Sequence, residues 1–356
     1  MGSQEKVETI ESREWYLAAH APEGVPTSDH LKLRTFSISL ADESIHENHV
    51  VVKILYISVD PYLRAIMTGI DDGLCLPQFQ INQVIFSYGI GRVIRSKESN
   101  YSGGDFVPSP VMPVAEYSMV QPSQLRFKNI DPGPGIPFTD YLSTLGVAGY
   151  AAWVALKMIG NPKPGSNVFI SAAAGGVGMH AGQLAKLKGC NVIGSTGTDE
   201  KVELLKEIGY DDAFNYNASE SFDAALSKYC PDGIDFYLDN VGGKMLEAVL
   251  NHVNHKAHIV LCGMISQYNK VWKERDGIRN LLNMVGKEVK MEGYLMSSLD
   301  HRFGDFTKEM ETYIKQGKII SKHVIYNGIE SFLESLGSMF SSSNIGKVLI
   351  QSRNKI

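Results

Sequence analysis

A glycine-rich segment in the middle of the chain has the residue types that bind phosphate groups. It reads Ser171-Ala-Ala-Ala-Gly175-Gly176-Val177-Gly178 and lies between a predicted strand and a predicted helix. It matches G-x-G-x-x-G if Ala173 replaces the first glycine. A tight glycine turn lets the backbone approach a pyrophosphate at a helix N-terminus, where free N–H groups and the helix dipole favour anions. The motif predicts dinucleotide binding; a tight turn in a flavodoxin-like domain without a dinucleotide is the alternative.

The end of the next predicted strand indicates which dinucleotide is bound. An NAD site usually carries an acidic residue there, about 20 residues after the glycines, to hold the ribose hydroxyls. This chain has Gly194-Ser-Thr-Gly197-Thr198 at that place. Small hydroxyl residues leave room for a 2′-phosphate and donate hydrogen bonds to it. Lys201 could add positive charge, although a solvated surface lysine is the alternative. The sequence therefore favours NADP.

The histidines and cysteines are too dispersed to predict a metal site. The cysteines are Cys75, Cys190, Cys230 and Cys262, and they form no CxxC pair, whereas structural zinc sites need clustered ligands. The densest histidine run, His252-Val-Asn-His255-Lys-Ala-His258, spans a predicted helix end and strand start, so its rings should not converge. We therefore predict no bound metal.

Alternating strands and helices must position these residues. The predicted strands are 167–171, 191–195, 212–216, 234–238 and 258–262, and the predicted helices between them are 177–187, 199–208, 222–229 and 244–253. Alternation with helices of about ten residues predicts βαβ units and an α/β fold with a Rossmann-type, doubly wound parallel sheet. Right-handed crossovers place the carboxyl ends of all strands at one edge of the sheet, where ligands bind.

The first part of the chain has a different pattern. Val50–Ile57 predicts a β-branched strand, and Gln83–Ile94 predicts two short strands broken at Gly89 and Gly91. The proline- and glycine-rich segment Asp131–Pro137 marks a boundary. This part therefore predicts a small, mostly antiparallel domain.

The domain limits follow from these changes in pattern. A helix is predicted at 145–158, and two more at 306–315 and 331–340. The final strand, 346–350, is expected to return to the first domain. We predict a discontinuous β-rich domain of residues 1–130 and 310–356, and a nucleotide-binding domain of residues 131–309.

Length and charge exclude several classes of protein. At roughly 150 residues per domain, 356 residues correspond to about two domains. The formal charge of −5, without a basic block, is a poor balance for nucleic-acid binding. There is no apolar run of about 18 residues, so no membrane span is expected, and the polar N-terminus does not resemble a signal peptide. We therefore expect a cytoplasmic protein.

Seven segments in order along the chain resemble the zinc-independent medium-chain dehydrogenase/reductases. The most similar group is the plant NADPH-dependent alkenal and enone double-bond reductases, relatives of the prostaglandin reductases. The segments are Asp60–Arg64, Ser171–Gly178, Gly194–Lys201, Phe214–Tyr216, Asp239–Gly243, Cys262–Tyr268 and Asn344–Lys347. The resemblance implies a Rossmann domain with a GroES-like catalytic domain, a homodimer, and NADPH-dependent reduction of a carbon–carbon double bond conjugated to a carbonyl.

The resemblance also implies roles for particular residues. Catalytic roles fall to Tyr268 and, facing the substrate, Tyr62. The residues implied to bind NADP(H) are Gly175, Gly176, Val177, Gly178, Gly197, Lys201, Tyr216, Asn240, Cys262, Tyr268, Tyr294, Leu295, Met296, Asn344 and Gly346. A hydrogen-bond donor such as the Tyr268 phenol would stabilise the negative charge that develops on the carbonyl oxygen, and no metal is required. A purely structural tyrosine is the alternative for each.

Two other functions stay open at this point. Quinones are also conjugated electrophiles, so a quinone oxidoreductase on the same fold is an alternative. A non-catalytic NADPH-binding protein is the second, because fold alone does not fix function. The chain departs from the family at Phe86-Ser-Tyr88 and at Phe106–Pro113, which has no tryptophan. The substrate is therefore expected to differ from the simple alkenals and phenylpropenals usual for the family.

Overall fold

A computed structural model describes residues 9–71, 76–125, 130 and 136–353. Cys75 and most of the predicted linker, residues 131–135, lie outside the described residues. The chain divides into two units by its internal contacts. The first unit comprises Met1–Leu142, Ile325–Met339 and Val348–Ile356, and the second comprises Ser143–Val324 and Phe340–Lys347.

The strands and helices are numbered in chain order. The strands are β1 Thr9–Leu17, β2 Leu31–Ser39, β3 Val50–Val59, β4 Phe86–Ser96, β5 Phe106–Pro113, β6 Tyr117–Val120, β7 Asn167–Ile170, β8 Asn191–Thr196, β9 Asp212–Asn215, β10 Ile234–Asp239, β11 Val253–Leu261, β12 Lys290–Gly293, β13 His323–Asn327 and β14 Lys347–Gln351. The helices are α1 Tyr62–Ala65, α2 Phe138–Leu142, α3 Val147–Trp153, α4 Gly176–Leu187, α5 Asp199–Glu207, α6 Phe222–Tyr229, α7 Gly243–His252, α8 Leu282–Gly286, α9 Phe303–Lys315 and α10 Phe332–Ser338.

The first unit is built on antiparallel strands. One sheet has the order β13-β14-β3-β4-β5, with β6 also paired to β3, and β1 pairs with β2 in a separate ribbon. Strand β3 is central and almost wholly buried, because its β-branched residues pack on both faces. The last strand, β14, pairs with β3 from Val348 opposite Val59, so the C-terminal segment does return to this sheet.

The predicted break within residues 83–94 is wrong. Strand β4 runs through Gly89 and Gly91 and pairs with β3 from Gly89 to Ser96, with two shifts of register. A Cβ at Gly89 would lie 2.8 Å from atoms of both Ile57 and Met112. The glycines therefore allow neighbouring side chains to pack closely within one strand, and they do not form turns.

The second unit contains the predicted parallel sheet. Its strand order is β12-β11-β10-β7-β8-β9, and every adjacent pair is parallel. Strand β7 starts both halves, so the order reverses between β7 and β10, and this reversal is the place where such folds bind ligands. The fold class expected from the sequence is confirmed.

Helix α4 packs closely on this sheet because small residues face it. A Cβ at Gly182 would lie 2.1 Å from the ring of Tyr210, whose hydroxyl donates to the Gly178 carbonyl at 2.7 Å. On the strand side, a Cβ at Gly194 would lie 2.7 Å from the methyl group of Ala173. Ala173 therefore replaces the usual first glycine of the motif, since Gly194 leaves room for its methyl group.

The predicted helix at 145–158 is only partly regular. It forms α3 and then continues as a π-helix over Val154–Ile159. A Cβ at Gly160, which follows, would lie 1.9 Å from the ring of Phe236. Among the described residues, no helix has the length and apolarity needed to cross a bilayer.

Candidate cofactor-binding and active site

The residues predicted to bind the dinucleotide in the second unit follow the carboxyl ends of its parallel strands. Gly175–Gly178 follow β7, Gly197 and Lys201 follow β8, Tyr216 follows β9, Asn240 follows β10, Cys262 and Tyr268 follow β11, and Tyr294–Met296 follow β12. Parallel strands bring these ends to one edge of the sheet, although the residues span more than 120 positions of sequence.

The turn between β7 and α4 leaves no room for side chains. The Gly175 N–H donates to the Ala172 carbonyl at 3.0 Å, and Ala172 itself adopts a left-handed φ of 48°. A Cβ at Gly178 would lie 2.6 Å from both the Ala172 oxygen and the Ala173 Cα. The turn therefore places the first N–H groups of a 12-residue helix at the strand end, where they and the helix dipole favour an anion.

The C-terminal segment with Asn344 and Gly346 lies beside this turn. The Gly346 N–H donates to the Ala174 carbonyl at 2.7 Å, and Gly346 forms an isolated parallel bridge with Gly175. Gly346 has a φ of 70°, and a Cβ there would lie 1.9 Å from the Lys322 carbonyl oxygen. Only glycine fits this position, which explains the glycine in the motif Asn344-Ile-Gly-Lys347.

Lys201, Tyr216 and Gly197 meet around a residue that the sequence analysis missed, Ser342. The Lys201 ammonium donates to the Ser342 carbonyl, and the Tyr216 hydroxyl lies 2.9 Å from Ser342 Oγ. A Cβ at Gly197 would lie 2.9 Å from the Tyr216 hydroxyl. Thr198 caps helix α5 by accepting the Lys201 N–H at 3.3 Å, which places the lysine at the strand end.

Lys201 is not a solvated surface lysine. It is only 5% exposed, and burial lowers the pKa of its ammonium. A buried cation beside small residues and hydroxyl groups is suited to an anionic partner such as a 2′-phosphate. No acidic side chain stands among Ser195–Thr198, so these residues match NADP better than NAD.

Asn240 is tied to the end of β7 through Ser171. Its side-chain amide donates to the Ser171 carbonyl at 2.8 Å, and its backbone N–H donates to Ser171 Oγ at 3.0 Å. These two bonds join the strands on either side of the chain reversal. Asn240 therefore has a fixed orientation at the centre of the binding edge.

Asp239 organises the same turn and was not singled out as a site residue. Its Oδ1 accepts hydrogen bonds from the Tyr237 hydroxyl at 2.7 Å, the Val241 N–H at 2.9 Å and the Gly242 N–H at 2.8 Å. Its carbonyl accepts the Cys262 N–H at 2.9 Å. Asp239 is fully buried, and burial raises the pKa of its carboxyl although these hydrogen bonds oppose the shift. An acidic residue at a buried strand end could have indicated this structural role.

Cys262 and Tyr294 are brought together from neighbouring strands. The Tyr294 hydroxyl lies 3.1 Å from Cys262 Sγ and 2.7 Å from the Ala151 carbonyl oxygen. Burial raises the pKa of the Cys262 thiol to about 11, so the side chain is a thiol at neutral pH. The next two residues differ in environment, because Leu295 is exposed and Met296 begins a 3₁₀ helix.

Tyr268 lies at the end of the loop that follows β11. Its hydroxyl oxygen accepts the Met264 N–H at 3.2 Å, and a Cβ at Gly263 would lie 3.1 Å from the same oxygen. The loop is braced by Gln267, which donates to Asp276 at 3.0 Å and accepts the Asp276 N–H at 2.9 Å. The Tyr268 phenol is half-buried, and these contacts hold it at a defined position.

Tyr62, the other predicted catalytic residue, belongs to the first unit. It begins the short helix α1 directly after Asp60-Pro61. Burial, and then the charge of Asp60, raise the pKa of the Tyr62 phenol above its usual value. Tyr62 therefore stays protonated at neutral pH and can act as a hydrogen-bond donor.

The histidine run pairs with three different carboxylates. His252 lies 2.9 Å from Asp223, His255 lies 3.4 Å from Glu288, and His258 lies 2.7 Å from Glu292. Within the part of the chain that the structure describes, no three His, Cys, Asp or Glu side chains converge as metal ligands.

Comparison with known proteins identifies the class. Residues 176–314 match a family described as zinc-binding dehydrogenase, and residues 13–127 match one described as the N-terminal domain of oxidoreductase. A 2-alkenal reductase (NADP(+)-dependent) of Nicotiana tabacum is 39% identical, covering 92% of this chain and 94% of that protein. A (+)-pulegone reductase of Mentha piperita is 38% identical, covering 90% and 92%.

A solved structure gives the same result. CurA from Vibrio vulnificus, solved in complex with NADPH, superposes with a TM-score of 0.86 at 29% identity, covering 96% of this chain and all of that one. The chain therefore belongs to the medium-chain dehydrogenase/reductase family, as the sequence motifs indicated. It is an NADP-dependent oxidoreductase whose cofactor is NADP(H).

Proposed function

We propose that this protein reduces the carbon–carbon double bond of α,β-unsaturated aldehydes or ketones with NADPH and without a metal. The observation that carries the proposal is the Tyr268 phenol, held beside the partly buried Asn240 and Cys262 at the end of an NADP-binding sheet. The relatives named for alkenal and pulegone reduction support the substrate class.

The residues at the strand ends would each bind a different part of NADP(H). Gly175–Gly178 would hold the pyrophosphate, and Lys201 with Tyr216 would hold the 2′-phosphate. Asn240 and Cys262 would line the nicotinamide side. When bound, NADPH supplies a hydride, which a conjugated carbonyl compound accepts at its β-carbon.

The phenols of Tyr268 and Tyr62 would then stabilise the charge that develops on the substrate and supply a proton. Negative charge develops on the carbonyl oxygen as the double bond is reduced, and a donor aimed at that oxygen lowers the barrier. We assign this donor to Tyr268, which could also relay a proton. Tyr62 is assigned to the substrate side of the first unit, where its phenol stays protonated.

A panel of electrophiles tests the function. Purified protein and NADPH are mixed with an alkenal, a phenyl-conjugated enone, a cyclic enone, a quinone or a saturated aldehyde, and NADPH absorbance is followed. We expect oxidation with the enal or enones and none with the saturated aldehyde. Oxidation with the quinone alone would instead establish the quinone oxidoreductase alternative. Bound NADPH without turnover on any compound would favour the binding-protein alternative.

Tyr268→Phe should separate catalysis from binding. Loss of one donor to a developing oxyanion costs about 10²-fold in turnover, so we expect kcat to fall by about that factor with the Kd for NADPH unchanged. Steady-state kinetics and a cofactor titration measure the two quantities. Tyr313→Phe, on α9, is the matched control. Unchanged turnover in Tyr268→Phe would remove the role assigned to this phenol.

We also propose a cytoplasmic homodimer. Edge strand β12 is preceded in the chain by large apolar side chains that are largely exposed, Trp272 at 80%, Leu282 at 80% and Val285 at 75%. An exposed edge with apolar neighbours suits pairing with a second copy. Sedimentation equilibrium of the protein and of Leu282→Asp would test it: a monomeric native protein contradicts the proposal.

A further inference from the structure

We propose that Ser342 is a specificity-determining residue: its carbonyl and hydroxyl hold Lys201 and Tyr216 in the geometry that selects NADPH over NADH. No motif in the sequence pointed to this residue. The proposal rests on the NADP(H) dependence and is independent of which double bond is reduced.

The contacts of Ser342 come from both halves of the 2′-phosphate side. Lys201, after β8, donates its ammonium to the Ser342 carbonyl, and Tyr216, after β9, lies 2.9 Å from Ser342 Oγ. Ser342 Cβ also lies 3.3 Å from the position that a Cβ at Gly197 would occupy. One residue therefore contacts both Lys201 and Tyr216 and faces the side of Gly197 on which a side chain would stand.

The burial of Lys201 makes its position depend on such a partner. A lysine that is 5% exposed loses most of its hydration, and burial lowers the pKa of its ammonium. A carbonyl dipole compensates part of this cost and fixes the flexible four-carbon side chain. A 2′-phosphate would meet a preoriented ammonium, whereas a ribose hydroxyl would gain little from the same charge.

The backbone at Ser342 aims this carbonyl. Ser342 adopts a φ of 56°, in the left-handed region that few non-glycine residues occupy. Its neighbours Ser341 and Ser343 join their hydroxyl groups at 2.9 Å across it. The loop thus holds an unfavourable backbone conformation in which one carbonyl points at Lys201. We therefore expect the backbone of Ser342 to contribute more to NADPH selection than its side chain.

Three substitutions at Ser342 separate the contribution of its backbone carbonyl to NADPH binding from that of its side-chain hydroxyl. Ser342→Pro forces φ to about −65° and turns the carbonyl away. Ser342→Gly keeps the left-handed backbone and removes only the hydroxyl. Ser342→Val disfavours the left-handed region more mildly than proline does. Isothermal titration measures Kd for NADPH, NADH and adenosine 2′-monophosphate, with no substrate present.

The expected order of effects is specific. Loss of a charge-assisted contact costs about tenfold or more in affinity, so Ser342→Pro should bind NADPH and adenosine 2′-monophosphate at least about tenfold more weakly and leave NADH within about twofold. Ser342→Gly should lose about threefold or less for NADPH, because it loses a neutral hydrogen bond only. Ser227→Ala, which removes a serine hydroxyl from helix α6, is the control and should bind both dinucleotides as the native protein does.

Other results would overturn the proposal. Unchanged NADPH affinity in Ser342→Pro would show that the carbonyl does not position Lys201. Equal loss of NADPH and NADH affinity would show that the loop shapes the whole cofactor cleft and carries no selectivity. If thermal melting shows that Ser342→Pro is unfolded, Ser342→Val is judged by the same two criteria. Because no substrate is used, failure of the proposed double-bond reduction would leave this test intact.

Discussion

Gly178→Ala should reduce the affinity for NADPH by about 100-fold. The added Cβ would lie 2.6 Å from the Ala172 oxygen and the Ala173 Cα and 2.7 Å from the Ala173 oxygen. All three atoms are backbone, so no side chain can move aside, and the first turn of α4 must shift away from β7. Overpacking of this kind costs about 3 kcal/mol, which corresponds to about 100-fold in affinity when it falls on the binding geometry.

The measurement is a titration of protein fluorescence with NADPH, together with a thermal melt. Gly304→Ala is the matched control, because Gly304 also lies in the first turn of a helix, α9, and a Cβ there meets nothing within 4 Å. We expect the control to bind NADPH normally and to be slightly more stable, since alanine favours the helix. Native affinity in Gly178→Ala would contradict the assignment of this turn to the pyrophosphate.

Asp239→Ala should lower the free energy of unfolding by about 4 kcal/mol, because the Tyr237 hydroxyl and two backbone N–H groups lose their acceptor. The donors are the Tyr237 hydroxyl and the N–H groups of Val241 and Gly242. Removal of a buried carboxyl relieves some desolvation, which is the reason that its pKa is raised. The relief is smaller than the cost, because each unsatisfied buried donor costs about 1–3 kcal/mol.

Asp239→Asn is the informative partner of this variant. Its amide oxygen can take the place of Oδ1 and keep the three donors satisfied, so we expect a loss of only about 1 kcal/mol. Urea unfolding of both variants gives the comparison, and NADPH titration of Asp239→Asn shows whether Asn240 keeps its position. Equal stability of the alanine and asparagine variants would show that the donors find other partners and that Asp239 does not organise this turn.

Local patterns were sufficient for the parallel sheet and its glycine turn. The buried strand Asn167–Ile170, the glycines and the helix that follows lie within 21 residues of sequence, so neighbouring residues determine their structure. Helix α6 begins and ends at the predicted residues, and Ser221 defines its start by accepting the Ala224 N–H at 3.1 Å. The absence of an acidic side chain among Ser195–Thr198, at the end of β8, is also visible in the sequence, and it correctly indicated NADP.

Elements whose structure depends on residues distant in the chain could not be predicted from the sequence in the same way. The glycines of β4 resemble turn residues, and only the packing of Ile57 and Met112 against Gly89 shows that they lie within a strand. The short strands β12 and β13 were also missed. Strand β12 is stabilised by its pairing with β11, and the described residues of that strand alternate too little to predict it.

The sequence by itself determined the class of fold, the dinucleotide and the family, because the fingerprint, the strand–helix alternation and the strand-end residues are each encoded within a few neighbouring positions. Only the tertiary structure decided which side chains meet. Lys201 and Ser342 are 141 residues apart, and Asn240 and Ser171 are 69 apart. Contacts over such separations arise from the order in which strands pair, and a single strand's pattern carries no information on its distant neighbours.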